Sequence, residues 1–206
     1  MLGIDESGKG DFFGPLVIAG VLADDAGVEL MRSRGVRDSK KISDGKIAEL
    51  SAWITGNFIH TVVLIGPEKY NQLYSKIKNL NRLLAWGHSR VIENIALENK
   101  VELAVSDKFG RSDRIESALM EKGRTIELVQ KVRGESIIQV AAASIVARAR
   151  FVEFMNGLTK QYGLKIPLGA GTPVDLAAVA LVKKHGPAVL AKVAKTHFKN
   201  YRKVMG

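Results

Sequence analysis

Two adjacent carboxylates, Asp5 and Glu6, close the apolar stretch that begins the chain, and a glycine-rich turn, Gly8-Lys9-Gly10, follows at once. On an extended strand neighbouring side chains point to opposite faces, so one carboxylate can aim at a site while the other reaches it from the strand edge. A charged strand end running into a turn would look the same, so the pair needs support from elsewhere. Asp107 ends the run Val101–Val105 by way of Ser106, and Glu135 stands just before Ser136 and the small apolar stretch Val140-Ala141-Ala142-Ala143-Ser144-Ile145. In open α/β sheets ligands collect beyond the carboxyl ends of strands, and Asp107 lies beside Asp5 if the first and fourth strands are neighbours. For Glu135, charge at a helix start competes with a chemical role. An Asp/Glu set of this kind offers only oxygen donors, which suit Mg²⁺ or Mn²⁺ bound with water and substrate phosphate. Cysteine is absent and the histidines (His60, His88, His185, His197) are isolated in sequence, so thiolate zinc, iron–sulfur and cysteine-nucleophile chemistry are excluded and zinc is disfavoured. Each histidine reads as a core, capping or surface residue.

The glycines at 8, 10 and 14 follow a G-x-G-x-x-x-G spacing, which is neither a dinucleotide fingerprint nor a Walker loop. Such a turn brings backbone N–H groups close to a phosphate or sugar, with Lys9 adding charge; a plain β-turn is the alternative.

The elements that must hold these residues can be read coarsely. Strands are predicted over Met1–Glu6, Phe13–Leu22, Phe58–Ile65, Val101–Val105 and Thr125–Val129. Helices are predicted over Ser43–Ile54 with Ser43 as N-cap, Pro67–Ile77, Asn81–Glu98, Arg111–Glu121 and Ser136–Tyr162. A loop over Gly163–Thr172 precedes two short helices, Pro173–His185 and Pro187–Val193. Early strands in tight connection and later strands separated by helices imply a mixed α/β sheet. The small residues at the start of the long helix imply that something packs very close to it. No repeat, linker or low-complexity segment divides the chain, so 1–206 reads as a single domain.

The 206 residues carry 31 Lys and Arg against 21 Asp and Glu, a net charge of +10, with 46% hydrophobic residues. Whole-chain disorder and fibrous repeats are excluded. No acidic residue follows Asp175, while Lys183, Lys184, Lys192, Lys195, Lys199, Arg202 and Lys203 do. Such a tail suits a phosphate backbone, although a solvated basic face explains it equally well. The acidic start is wrong for a secretory signal, and the longest apolar run, Phe12–Ala23, is too short to span a bilayer as a helix. A cytoplasmic monomer with no membrane partner and no organic cofactor is expected.

Taken together, the segments Gly3-Ile4-Asp5-Glu6-Ser7-Gly8-Lys9-Gly10-Asp11-Phe12-Phe13-Gly14-Pro15, Arg37-Asp38-Ser39-Lys40-Lys41, Tyr70-Asn71, Asn79 to His88, Asp107, Glu135 with Val140 to Arg148, and Ala194 to Asn200 resemble the type 2 ribonucleases H, and within them the ribonuclease HIII class. The resemblance implies the ribonuclease H-like fold: a five-stranded mixed sheet flanked by helices, with C-terminal helices. It implies an endoribonuclease acting on the RNA strand of RNA–DNA hybrids with two divalent ions, Mg²⁺ or Mn²⁺, giving 5′-phosphate and 3′-hydroxyl ends. By position it assigns Asp5, Glu6, Asp107 and Glu135 to the ions. Gly8, Lys9 and Gly10 would contact the hybrid where 2′-hydroxyls are read, and Ser39 and Lys40 would lie near its backbone. The class carries a substrate-binding domain ahead of the catalytic one; with Gly3 so near Met1, that domain is expected to be absent. The related ribonuclease HII class differs in having a Gly-Arg-Gly turn and a later tyrosine that reads an RNA–DNA junction. This chain has Lys9, and Leu168-Gly169-Ala170-Gly171 in the corresponding loop. The competing readings are another nuclease or recombinase of the same fold, and a non-catalytic basic nucleic-acid-binding domain.

Overall fold

The computed structural model describes residues 1–37, 39, 42–107, 126–132 and 134–206, with Glu135 by its backbone alone. Five apolar runs form strands: β1 (Leu2–Ser7), β2 (Leu16–Leu22), β3 (Ile59–Ile65), β4 (Leu103–Asp107) and β5 (Glu127–Lys131). They make one sheet in the order β3-β2-β1-β4-β5. β1 runs antiparallel to β2 and parallel to β4, and β4 runs parallel to β5, so the sheet is mixed and β1 is its central strand.

Eight α-helices lie among the described residues: α1 (Asp25–Ser33), α2 (Asp44–Asn57), α3 (Pro67–Ile77), α4 (Leu80–Ala96), α5 (Ile138–Tyr162), α6 (Thr172–His185), α7 (Val189–Val193) and α8 (Lys199–Met205). A 3₁₀ turn, Gly134–Ser136, precedes α5. Two helices differ from the sequence reading. α1 is short and buries only Gly27 and Met31, too few positions to show a period; Asp24 caps it, accepting from the Gly27 N–H at 2.8 Å. α8 buries only Asn200, so its seven residues read as a solvated tail. Ser43 sits at the N-cap of α2 as expected, without a side-chain bond. The expected helix Arg111–Glu121 lies outside the described residues.

The chain gathers into two compact units. One comprises Met1–Ser7, Val17–Val63 and Asn79–Ala149; the other comprises Gly8–Leu16, Leu64–Lys78 and Arg150–Gly206. The chain passes between them repeatedly, so no step in composition marks the division. In the first unit, Leu2, Ile4 and Ile18 of the sheet are fully buried, as are Leu83, Leu84, Val91 and Ile92 of α4. Gly3 faces the opposite side of β1, where a Cβ would collide with the backbone of Gln139 and Val140 at the start of α5. This is the close approach that the Ala/Ser run of that helix implied: strand and helix meet with no side chain between them.

In the second unit, Phe12, Phe13, Tyr70, Phe151, Val174, Leu181, Leu190 and Val193 are fully buried. The Phe12 and Phe13 rings lie 4.8 Å apart, and the strand-like residue Phe13 bridges antiparallel to Ala194. No described helix is long and apolar enough to cross a membrane.

Candidate active site

The register of β1 on β4 positions the first two acids. Leu2, Gly3 and Ile4 stand opposite Ala104, Val105 and Ser106, and one further step sets Asp5 beside Asp107. The neighbouring strands expected for these two residues are therefore present. Alternation along β1 sends Asp5 to the face covered by α5 and Glu6 to the face covered by α4.

Asp5 is anchored on several sides. Its Oδ1 accepts from the Glu6 N–H at 2.8 Å, and the Ser144 hydroxyl of α5 bonds its carboxylate. The Ser144 Oγ lies 2.7 Å from the Ser39 Oγ, and both serines are buried. Ser39 thus stands one hydroxyl away from Asp5, turned inward against Ser144. Burial chiefly raises the Asp5 carboxyl, to about 7, with the negative charges of Glu6 and then Asp107 adding to it; the bonds from Ser144 and the Glu6 N–H pull the other way.

Glu6 is held by a residue that sequence reasoning did not assign to the site. Its Oε2 lies 3.2 Å from the Nε2 of His88, a fully buried ring on α4. A signal existed: His88 falls on the apolar stripe of its helix with Leu84 and Val91, and a histidine buried there needs a polar partner. Asp107 accepts the Gly134 N–H on Oδ1 at 3.1 Å, which ties the 3₁₀ turn containing Glu135 to the end of β4. Among the described residues no group of three or more His, Asp or Glu side chains is gathered tightly enough to hold a metal ion. Asp5 and Asp107 share one face, Glu6 is turned to the other by His88, and Glu135 is positioned by its backbone.

The glycine-rich turn follows β1 directly. Gly8 has φ +87°, and a Cβ there would collide with the Pro15 carbonyl, so no other residue fits the turn as built. Gly10 is exposed with open space about it, and Lys9 is half-buried. Lys40 lies outside the described residues.

The basic tail needs correction. Lys195 is not a surface cation: it is fully buried, with Nζ donating 2.8 Å bonds to the carbonyls of Asp11 and Gly14. Lys203 is paired with Asp175 at 3.0 Å.

Comparisons with known proteins agree on one family. The family model for ribonuclease HII matches residues 2–201. Ribonuclease HIII of Chlamydia pneumoniae is 45% identical over 206 residues, spanning 98% of this chain and 69% of that protein. Ribonuclease HIII of Protochlamydia amoebophila is 38% identical over 205 residues, spanning 100% of this chain and 68% of that protein. A crystal structure of Bst-RNase HIII in complex with Mn²⁺ superposes with a TM-score of 0.91 at 31% identity, covering 99% of this chain and 68% of that one.

Proposed function

The chain belongs to the ribonuclease HII family and is a type 2 endoribonuclease, and from that premise we propose that it hydrolyses the RNA strand of RNA–DNA hybrids, using two divalent ions, Mg²⁺ or Mn²⁺, held by Asp5, Glu6, Asp107 and Glu135. The observation that carries this reading is the crowding of carboxylates at the ends of the two central parallel strands. Asp5 is pushed to about 7 by burial and, after that, by the facing negative charges, so a cation beside it would favour the ionised carboxylate. The donors fit a hard ion: the four side chains assigned to it offer only oxygen, and His88 is engaged by Glu6. Mn²⁺ is also the ion in the Bst-RNase HIII crystal structure.

When bound, the ions lower the pKa of a water to give a hydroxide near neutral pH and stabilise the leaving 3′-oxygen of the phosphodiester. The protein's own part is to hold the carboxylates. Ser144 and the Glu6 N–H fix the Asp5 carboxylate, the Gly134 N–H fixes that of Asp107, and His88 turns Glu6. The N–H groups of the Gly8-Lys9-Gly10 turn contact successive 2′-hydroxyls, with Ser39 and Lys40 near the hybrid backbone. Water adds to phosphorus as the P–O3′ bond breaks, leaving a 5′-phosphate and a 3′-hydroxyl. The same reading makes the protein a cytoplasmic monomer without organic cofactor, eluting in gel filtration at its chain mass of 22.4 kDa.

The experiment is cleavage of end-labelled RNA–DNA hybrid, double-stranded DNA and double-stranded RNA, each with Mg²⁺, with Mn²⁺ and with EDTA. Cleavage of the hybrid alone, and only with metal, is expected. Equal cleavage of double-stranded DNA would move the protein to another nuclease activity of the same fold, and tight binding without cleavage would make it a binding domain.

A further inference from the structure

Lys195 is the least expected charge in the molecule. It belongs to the second unit, is fully buried, and is used by nothing in the chemistry above. Its Nζ donates to the carbonyls of Asp11 at 2.8 Å, Gly14 at 2.8 Å and Phe13 at 3.5 Å, and stands 5.6 Å from the centre of the Tyr70 ring. These acceptors all lie on the segment that continues the glycine-rich turn. The backbone adds to the grip: the Lys195 N–H donates to the Phe12 carbonyl at 2.8 Å and the Gly14 N–H to the Val193 carbonyl at 2.9 Å. The segment carrying Lys195 is itself clamped by Asn71 of α3. The Asn71 amide donates to the carbonyls of Ala191 and Ala194, and its oxygen accepts from the N–H and hydroxyl of Thr196.

A buried ammonium is costly, and a methionine would fill the same volume without that cost. What methionine cannot do is donate. A turn with positive φ at both Gly8 and Gly14 directs several carbonyls inward with no N–H to meet them, and an ammonium is the only side-chain group that offers three donors from one atom. On its other side the segment is tied to the Leu168–Gly171 loop, where the Gly169 N–H donates to the Asp11 Oδ1 at 2.6 Å and the Phe12 N–H to the Gly169 carbonyl at 2.9 Å. The Asp11–Gly14 segment is therefore held by Lys195 and by the Leu168–Gly171 loop alike.

We propose that Lys195 is a positioning residue for substrate choice: its ammonium, through the carbonyls of Asp11, Phe13 and Gly14, holds the glycine-rich turn in the one shape that distinguishes an RNA–DNA hybrid from duplex DNA. The proposal rests on the turn reading 2′-hydroxyls. It gives Lys195 no contact with substrate. Burial brings the ammonium down to about 7, opposed by the Asp11 carboxylate, so the hold weakens within an accessible pH range. The other groups facing it are His197, which burial and Lys195 lower below its usual 6.5, and Tyr70, which burial raises. Tyr74 stacks on His197 at 4.0 Å.

The test measures metal-free binding of fluorescent hybrid and of the same-sequence duplex DNA in EDTA, for the wild type, Lys195→Met and Lys195→Gln, with folding checked by circular dichroism. The quantity read is the ratio of the two dissociation constants, which loss of folded protein does not change. The expected result is a wild-type preference for hybrid that falls at least fivefold in the methionine variant and by less in the glutamine variant. The wild-type preference is also expected to fall as pH rises from 6.5 to 9.5, while the methionine variant stays flat. A folded variant that keeps the wild-type ratio would overturn the proposal, as would a wild-type ratio that does not move with pH if neither variant folds. A wild type without preference for hybrid would instead overturn the reading of the turn itself.

Discussion

Asp5 and Asp107 stand side by side because two strands run parallel in one register, and their proximity is costly before any cation arrives. If both hold ions, Asp5→Asn and Asp107→Asn should each lower hybrid cleavage by on the order of 10³-fold or more while leaving the fold intact, measured as single-turnover rates in Mg²⁺. Near-wild-type cleavage by either folded variant would remove that residue from the ion site. Burial of Asp5, with the neighbouring negative charges second, makes a prediction about stability. The Asp5 carboxyl is raised from 3.8 to about 7 in the folded protein, so between those values the folded state binds more protons than the unfolded state. Stability of the metal-free protein must then fall as pH rises toward 7. Asp5→Asn removes the group that ionises, so in EDTA its stability relative to wild type should be greater at pH 8 than at pH 5 by about 2–3 kcal/mol, read from urea midpoints. A difference independent of pH would mean that Asp5 is ionised at little cost. The strand-end positions of Asp5, Glu6 and Asp107 were legible because charge at the end of an apolar strand is visible in one dimension. Their supports were not: Ser144 and Ser39 are separated by 105 positions, and His88 reaches Glu6 across 82.

Among the elements, β1, which carries Asp5 and Glu6, and α5, whose Ser144 bonds Asp5, touch backbone to backbone at Gly3. Gly3→Ala places a methyl group against the peptide between Gln139 and Val140, and no flexible side chain is there to yield. It should destabilise the protein by about 3 kcal/mol, at the upper end of ordinary overpacking. The denaturation midpoint tests this, and a loss below about 0.5 kcal/mol would mean that strand and helix separate easily. Elements with a strong hydrophobic period were readable nearly to the residue: α3 begins at Pro67 and ends at Ile77 as its sequence suggests, and α4 runs Leu80–Ala96, one residue earlier at its start and two at its end than the expected Asn81–Glu98, with Asn79 as its cap. The second strand starts later than the apolar run that contains it. Phe12 and Phe13 are as buried as strand residues, yet they belong to the segment held by Lys195 and Ala194. Hydrophobicity reports burial, and burial in a turn packed on a helix end looks the same as burial in a sheet.

For the whole molecule, net charge says that a polyanion is attracted, and the structure sorts the cations that can meet it. Replacing Lys183, Lys192 and Lys199 together by alanine should flatten the log–log dependence of hybrid binding on salt, by about 0.9 for each phosphate that is no longer neutralised if the hybrid behaves as B-DNA does. Replacing Lys203, whose ammonium meets Asp175, should leave the slope unchanged. An unaltered slope in the triple variant would make that face a solvated one. The same scale decides which RNA is cut. A lone ribonucleotide in duplex DNA offers a single 2′-hydroxyl on a B-like frame, so an enzyme that uses it must add a contact specific to the junction. The loop that could supply one, Leu168 to Gly171, carries no aromatic ring and is bound through Gly169 to Asp11 and Phe12. Its backbone is committed to supporting the glycine-rich turn. A run of ribonucleotides instead presents successive 2′-hydroxyls on a more A-like duplex, which would suit the reading proposed for the glycine-rich turn. Duplexes matched in sequence, one with a single ribonucleotide and one with four or more, should therefore differ in kcat/KM by on the order of 10²-fold or more, the worth of one or two good hydrogen bonds. Comparable values would show that the single 2′-hydroxyl is read without an aromatic partner, and would place the protein's substrate choice with ribonucleases that cut at isolated ribonucleotides.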